Sequence, residues 1–156
     1  MRILPAACDA DIAAARALFA QYAASLPFGL EYQNFAAELA GLPGAYAPPL
    51  GCLLLAKQGE AALGVVALKS LAEGIAEIKR LYVVPQARGS GLGKALLLRV
   101  IDEARDRGCA RVRLDSHQAS MAAAIALYRT LGFVEISPYG PDLGGAIVFF
   151  EKRLQE

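Results

Sequence analysis

Twelve residues, Val83-Val84-Pro85-Gln86-Ala87-Arg88-Gly89-Ser90-Gly91-Leu92-Gly93-Lys94, constrain this chain more than any other stretch. An apolar, β-branched run meets a proline, a basic turn with three glycines follows, and a helical pattern begins at Leu92. A glycine-rich strand-to-helix turn leaves backbone N–H groups facing outward at a helix N-terminus, which makes an anion site, for phosphate above all. Two cations accompany it, Arg88 before the helix and Lys94 in its first turn. Cations are disfavoured at the positive end of a helix dipole, and only Ser90 has a side chain suited to capping there. A bound polyphosphate accounts for both features.

The 156 residues suffice for one domain with a real core and hardly for two, so a single domain over 1–156 is expected. Hydrophobic residues make up 56% of the chain, which argues against disorder, and a net charge of +1 gives no general basic field for nucleic acid or a membrane surface. No apolar run reaches the roughly 18 residues of a membrane span. The start, Met1-Arg2-Ile3-Leu4-Pro5, lacks a signal-peptide pattern, so a cytoplasmic protein is expected. Cys8, Cys52 and Cys109 are odd in number and widely spaced, which supports free thiols and neither a disulfide framework nor a metal site.

Read in order, Arg2 to Cys8 is a short strand, and Asp9 or Asp11 caps a helix with Ile12, Ala15, Leu18, Phe19 and Tyr22 on one face. Leu26-Pro27-Phe28-Gly29 breaks it. Glu31 to Ala40 is a second helical segment, and Gly41 to Gly51, with three prolines, is a loop. Cys52 to Lys57, Ala61 to Leu71 and Ile75 to Val84 are three strands joined by glycine turns. The helix after the glycine turn runs to about Arg107, with Gly108 beyond its end. Ala110 to Asp115 is a strand and Ala119 to Leu131 a helix. Phe133 to Ser137 and Ala146 to Lys152 are strands around a Pro/Gly loop. A hairpin-rich front half followed by βαβ crossovers implies an α/β domain: a mixed, largely antiparallel central sheet of about seven strands flanked by helices.

Spacing separates the phosphate-binding modules. A Walker A loop has four residues between its first Gly and Gly-Lys, then Ser or Thr; here Gly89 and Gly93 are separated by three and Lys94 is followed by Ala95. A dinucleotide fingerprint wants G-x-G-x-x-G, whereas Gly89, Gly91 and Gly93 are each two apart, and an antiparallel front half fits that sheet poorly. Arg88-x-x-Gly91-x-Gly93 after a strand ending Val-x-Pro instead resembles the acetyl-CoA pyrophosphate loop of the GNAT N-acetyltransferases. Leu81 to Pro85 is similar to that family's fourth strand. Ala124-Ile125-Ala126-Leu127-Tyr128-Arg129-Thr130-Leu131-Gly132-Phe133 is similar to its A-x-x-L-Y-x-x-x-G-F signature. The resemblance spans roughly Gly51 to Leu154, and the first fifty residues match only as a β-α-α pattern.

The resemblance implies an acetyl-CoA-dependent N-acetyltransferase that moves an acetyl group to a primary amine by direct attack in a ternary complex, without metal. Leu81, Tyr82 and Val83 would pair with the pantetheine through main-chain groups. Arg88, Gly89, Ser90, Gly91, Leu92, Gly93 and Lys94 would take the pyrophosphate, and a backbone N–H near Val83 would serve the oxyanion. Tyr128 matches the tyrosine that protonates the departing sulfur, and with an ordinary pKa near 10 it holds its proton at neutral pH. Glu77, on the strand leading to the glycine loop, is the first candidate base, with an ion pair to Lys79 as its structural alternative. Asp115 is the second candidate and could instead cap the turn Ser116-His117-Gln118; His117 lies close by. Where many members carry an Asn before the last helix, this chain reads Ala119-Ser120-Met121, with Ser120 available as a cap.

The acceptor is expected between the α1–α2 region and the loop joining the last two strands. These offer Phe28, Glu31, Tyr32 and Tyr139, together with Tyr46 and Asp142. Their acids suit a cationic amine and their rings add cation–π contacts. A small amine, an amino-acid-like metabolite and a peptide or protein N-terminus all stay open. The rival reading is a non-catalytic acyl-CoA-binding sensor or scaffold of the same fold. The resemblance also implies a homodimer.

Overall fold

A computed structural model describes residues 1–154, and of Tyr32 the backbone alone. Its strands are β1 (Arg2–Pro5), β2 (Cys52–Gln58), β3 (Ala61–Ala72), β4 (Ile75–Val83), β5 (Arg111–His117), β6 (Val134–Ile136) and β7 (Ile147–Arg153). Its α-helices are α1 (Asp9–Ser25), α2 (Phe35–Ala40), α3 (Leu92–Asp106) and α4 (Ala122–Thr130). Among the described residues the strands form one sheet in the order β1-β2-β3-β4-β5-β7-β6, the mixed and largely antiparallel arrangement expected from the sequence.

Both faces of the sheet are covered. On one, Leu54, Val66, Ile78 and Leu114 meet Leu96, Val100 and Ile101 of α3 and Ile125 and Tyr128 of α4. On the other, Leu53, Leu55, Val65 and Ala67 meet Ala15, Leu18 and Phe19 of α1. The central strands therefore read as nearly unbroken apolar runs, because neither face is left to water. No helix among the described residues is long and apolar enough to cross a membrane.

Among the described residues the only parallel neighbours are β4 and β5, and they pair over just three positions, Ile75 with Arg111, Ala76 with Val112 and Glu77 with Arg113. Beyond Glu77 the strands diverge. On its other side β4 carries a bulge: Lys79 opposes Ala67 and Tyr82 opposes Val65, so Arg80 and Leu81 together face Val66. A bulge adds twist and bends its strand, which fits the divergence from β5.

Several local expectations are corrected. The strand β1 stops at Pro5, and Cys8, not an aspartate, is the N-cap of α1. Asp11 reaches back from the first turn to accept the Ala7 N–H at 3.3 Å and pairs with Lys57 of β2. The segment Glu31 to Ala40 is split into a 3-10 turn, Glu31–Gln33, and α2, because Asn34 adopts a left-handed φ of 56° between them. The proline-rich loop sends Tyr46 into the core, 2% exposed and edge-on to Phe19, so it is not an acceptor-facing loop residue. The helix α4 starts three residues later than expected, with Met121 at its cap position and no side-chain cap.

Candidate active site

The divergence of β4 and β5 opens a cleft of about 600 Å3. Its walls are the end of α1, the β4 segment from Ile78 to Val83, the glycine turn, and the facing ends of β5 and α4. Because pairing with β5 ends at Glu77, the β4 main chain along this wall has no strand partner on that side. Backbone groups that a sheet would satisfy are thus presented to a ligand.

At one end stands the glycine turn. Gly89 and Gly91 hold φ of 81° and 83°, and at both positions an added Cβ would meet open space. Their requirement is therefore conformational, a left-handed backbone that favours glycine. Gly91 is the N-cap of α3, which has no side-chain cap and no acid in its first turn. Ser90 does not cap the helix; its hydroxyl donates back to the Ala87 carbonyl at 2.6 Å. Arg88 does not reach across the turn either. Its Nε donates to the Val83 carbonyl at 3.1 Å and its guanidinium lies 5.6 Å from the Tyr82 ring centroid. The turn thus offers an uncapped helix start lined by Gly89, Gly91, Gly93 and Lys94, which fits a polyphosphate.

At the other end the bulge brings Arg80 into an unusual conformation, φ 61°, in the middle of a strand. A bulky residue rarely adopts that region, and the surroundings hold it there. The Arg80 side chain is 2% exposed and forms a bidentate pair with Glu38 of α2, Nε to Oε2 and Nη2 to Oε1, both 2.8 Å. The Phe35 ring lies 5.1 Å away.

Tyr128 and Asp115 both line this end of the cleft. Tyr128 is 6% exposed, packed between the rings of Phe133 and Phe150. Burial pushes its phenol well above the ordinary value, so it keeps its proton throughout the neutral range. Burial also pushes the Asp115 carboxyl up, and the nearby Lys79 ammonium only partly offsets this.

Glu77 stands elsewhere. It sits where β4 and β5 still pair, is 4% exposed and is not part of the cleft wall. The Tyr139 hydroxyl donates to its Oε2 at 2.6 Å, and its ion-pair partner is Lys69 of β3 at 3.6 Å, not Lys79. Burial and the Glu77 carboxylate together push the Tyr139 phenol up. Lys79 instead donates to Gln33 at 3.1 Å and lies 4.0 Å from Asp115.

The acceptor-side residues divide similarly. Phe28 rests against the His117 ring, centroids 4.7 Å apart, and His117 Nδ1 is 2.7 Å from the Ser120 hydroxyl. Ser120 therefore ties down His117 and does not cap α4, while the Ser116 hydroxyl donates to the Met121 sulfur. Glu31 is exposed and folds over Gly29, Asp142 is half-buried, and neither lines the cleft. The Tyr32 side chain lies outside the described residues. Sequence reasoning missed Lys79 as a cleft residue and the whole Arg80–Glu38 pair, for which no local pattern exists. Among the described residues no three His, Cys, Asp or Glu side chains converge as metal ligands would.

Residues 14–133 match the acetyltransferase (GNAT) family. An uncharacterised N-acetyltransferase of Schizosaccharomyces pombe is 35% identical over 124 residues, 78% of this chain and 76% of that one. A Klebsiella pneumoniae structure, provisionally named an acyl-CoA N-acyltransferase, has a TM-score of 0.72 at 32% identity over 98% of this chain and 97% of its own. The ribosomal-protein-S18-alanine N-acetyltransferase of Escherichia coli superposes with a TM-score of 0.72 at 26% identity, over 99% of this chain and 94% of its own. Structures of this fold have been solved with acetyl-CoA, from Salmonella typhimurium, and with coenzyme A.

Proposed function

From the premise that the chain belongs to the GNAT acetyltransferase family and is a GNAT-type acyltransferase, we propose that it transfers an acetyl group from acetyl-CoA to a primary amine by direct attack, with Asp115 as base and Tyr128 as acid. The observation that carries this reading is the single cleft that runs from the uncapped glycine turn at α3 to Asp115 and Tyr128. When bound, acetyl-CoA supplies the thioester acyl group.

The residues divide the remaining work. The N–H groups of Gly89 to Lys94 hold the pyrophosphate. Leu81, Tyr82 and Val83 hold the pantetheine through main-chain groups that no strand occupies. The bulge at Arg80–Leu81 presents a main-chain N–H to the acyl oxygen, a preorganised donor of the kind that often supplies the largest catalytic contribution. Asp115 takes the proton of the attacking amine; a carboxyl raised by burial is a stronger base than an exposed one. Tyr128 gives its proton to the departing sulfur.

On this reading Glu77, the first candidate base expected from the sequence, is not the base. Its carboxylate is engaged by Tyr139 and Lys69 and lies outside the cleft. The test is thiol release from acetyl-CoA across an amine panel, with mass spectrometry of the product. Thiol release with formation of an acetylamide is the expected result. Tight coenzyme A binding without transfer to any amine would leave the sensor reading in its place.

A further inference from the structure

Five ion pairs floor the face of β3, β4, β5 and β7 that looks toward α1 and α2. Two are hydrogen-bonded, Arg80 with Glu38 at 2.8 Å and Arg113 with Glu151 at 2.9 Å, and two are looser, Lys69 with Glu77 and Arg111 with Glu151, both at 3.6 Å. The fifth, Lys79 with Asp115, is the longest of them at 4.0 Å. It is also the one pair of the five with both members in the cleft wall.

Lys79 is the unusual member. Its side chain is 9% exposed, so the ammonium is largely removed from water. An ammonium has three N–H donors, yet the one hydrogen bond it makes among the described residues goes to Gln33 Oε1. A buried charge needs a partner. Here the cation's nearest counter-charge is the acid proposed as base, in a loose pair at 4.0 Å. An ammonium substrate that approached Asp115 alone would also approach Lys79 and be repelled. A substrate with an anion next to its amine would place opposite charges against each: amine on Asp115, anion on Lys79.

We propose, resting on the transferase reading above, that the acceptor is a free α-amino acid, whose carboxylate Lys79 holds while Asp115 receives the amine. A peptide N-terminus, which has a neutral amide in place of that carboxylate, and a simple monoamine both bring Lys79 no anion when Asp115 turns to the amine. The floor, with five cations against four acids, likewise gives a polyamine no net acidic surface.

The experiment measures kcat/KM at saturating acetyl-CoA for matched sets: free L-amino acids, their α-amides, and tripeptides beginning with the same residues. The free acids are expected to exceed amides and peptides by at least about tenfold, the scale of one charged hydrogen bond. Lys79→Gln is expected to bring the ratio close to one, and Lys79→Arg to retain a preference. Amides or peptides used as well as free acids overturn the inference, as does an unchanged ratio in Lys79→Gln. Because the first comparison uses the native protein, it stands even if a variant fails to fold. Transfer to amines without carboxylate preference overturns this inference alone. Absence of transfer to every amine, with coenzyme A bound, overturns the parent reading and this one with it.

Discussion

Arg80 of the β4 bulge and Glu38 of α2, distant in sequence, meet through two hydrogen bonds of 2.8 Å. The pair joins the acceptor-side helix to the strand segment that lines the cleft. Two buried charges can cost as much in desolvation as they return in attraction, but removal of one partner strands the other. Glu38→Ala is therefore expected to lower the unfolding free energy by about 3–5 kcal/mol. Arg80→Gly should cost less, since it removes the buried charge and relieves the φ of 61°. Urea denaturation of both variants checks the order, and a larger loss in Arg80→Gly would contradict it.

Gly91 offers a cleaner test of the phosphate turn. An added methyl at its φ of 83° meets no atom within 4 Å, so Gly91→Ala adds no clash. The left-handed conformation costs about 1–2 kcal/mol for any residue with a Cβ. The turn is expected to relax and its N–H groups to lose alignment, so KM for acetyl-CoA should rise about tenfold, with stability reduced by no more than that conformational cost. Calorimetric titration with coenzyme A and thermal melts separate the two effects.

What could be read from the sequence follows from how local each feature is. The glycine turn and the helix bearing Tyr128 are contiguous motifs, so their chemistry lies within a few residues. The sheet was legible because glycine turns and apolar runs alternate from Cys52 to Val84. Which of Glu77 and Asp115 stands in the cleft was not, because both stand on inner strands. Which of them reaches the cleft depends on where β4 stops pairing with β5, a register between segments far apart in sequence. The burial of Tyr46 was hidden behind three prolines that read as a surface loop. The split at Asn34 depends on one left-handed residue within a helical composition.

Asp115 links activity to stability through pH. Its folded carboxyl is raised above the ordinary value, so the native state binds its proton more tightly than the unfolded chain does. The group favours folding below the unfolded carboxyl pKa, and this contribution is lost as pH rises through the folded value. At neutral pH Asp115 is thus a stability cost. Asp115→Asn is expected to raise the melting temperature at pH 7 relative to the native protein and to give no gain at pH 3. It should also remove the acidic limb of the kcat/KM profile. Melts at the two pH values and one pH–rate profile test both halves.

Tyr128 separates binding from chemistry. Its ring fills a packed position between Phe133 and Phe150, and Phe in its place keeps that packing while it deletes the hydroxyl. Stability and KM for acetyl-CoA should change little in Tyr128→Phe. Loss of a positioned acid typically costs about 10²–10⁴ in rate, so kcat should fall within that range. The loss should be greatest for the thioester and smaller for an acyl donor whose leaving thiolate is more stable and needs less protonation. Steady-state rates with coenzyme A esters and with a more acidic thiol ester carry the comparison. An equal loss with both donors would assign the phenol to packing, and an unchanged kcat would remove it from the mechanism.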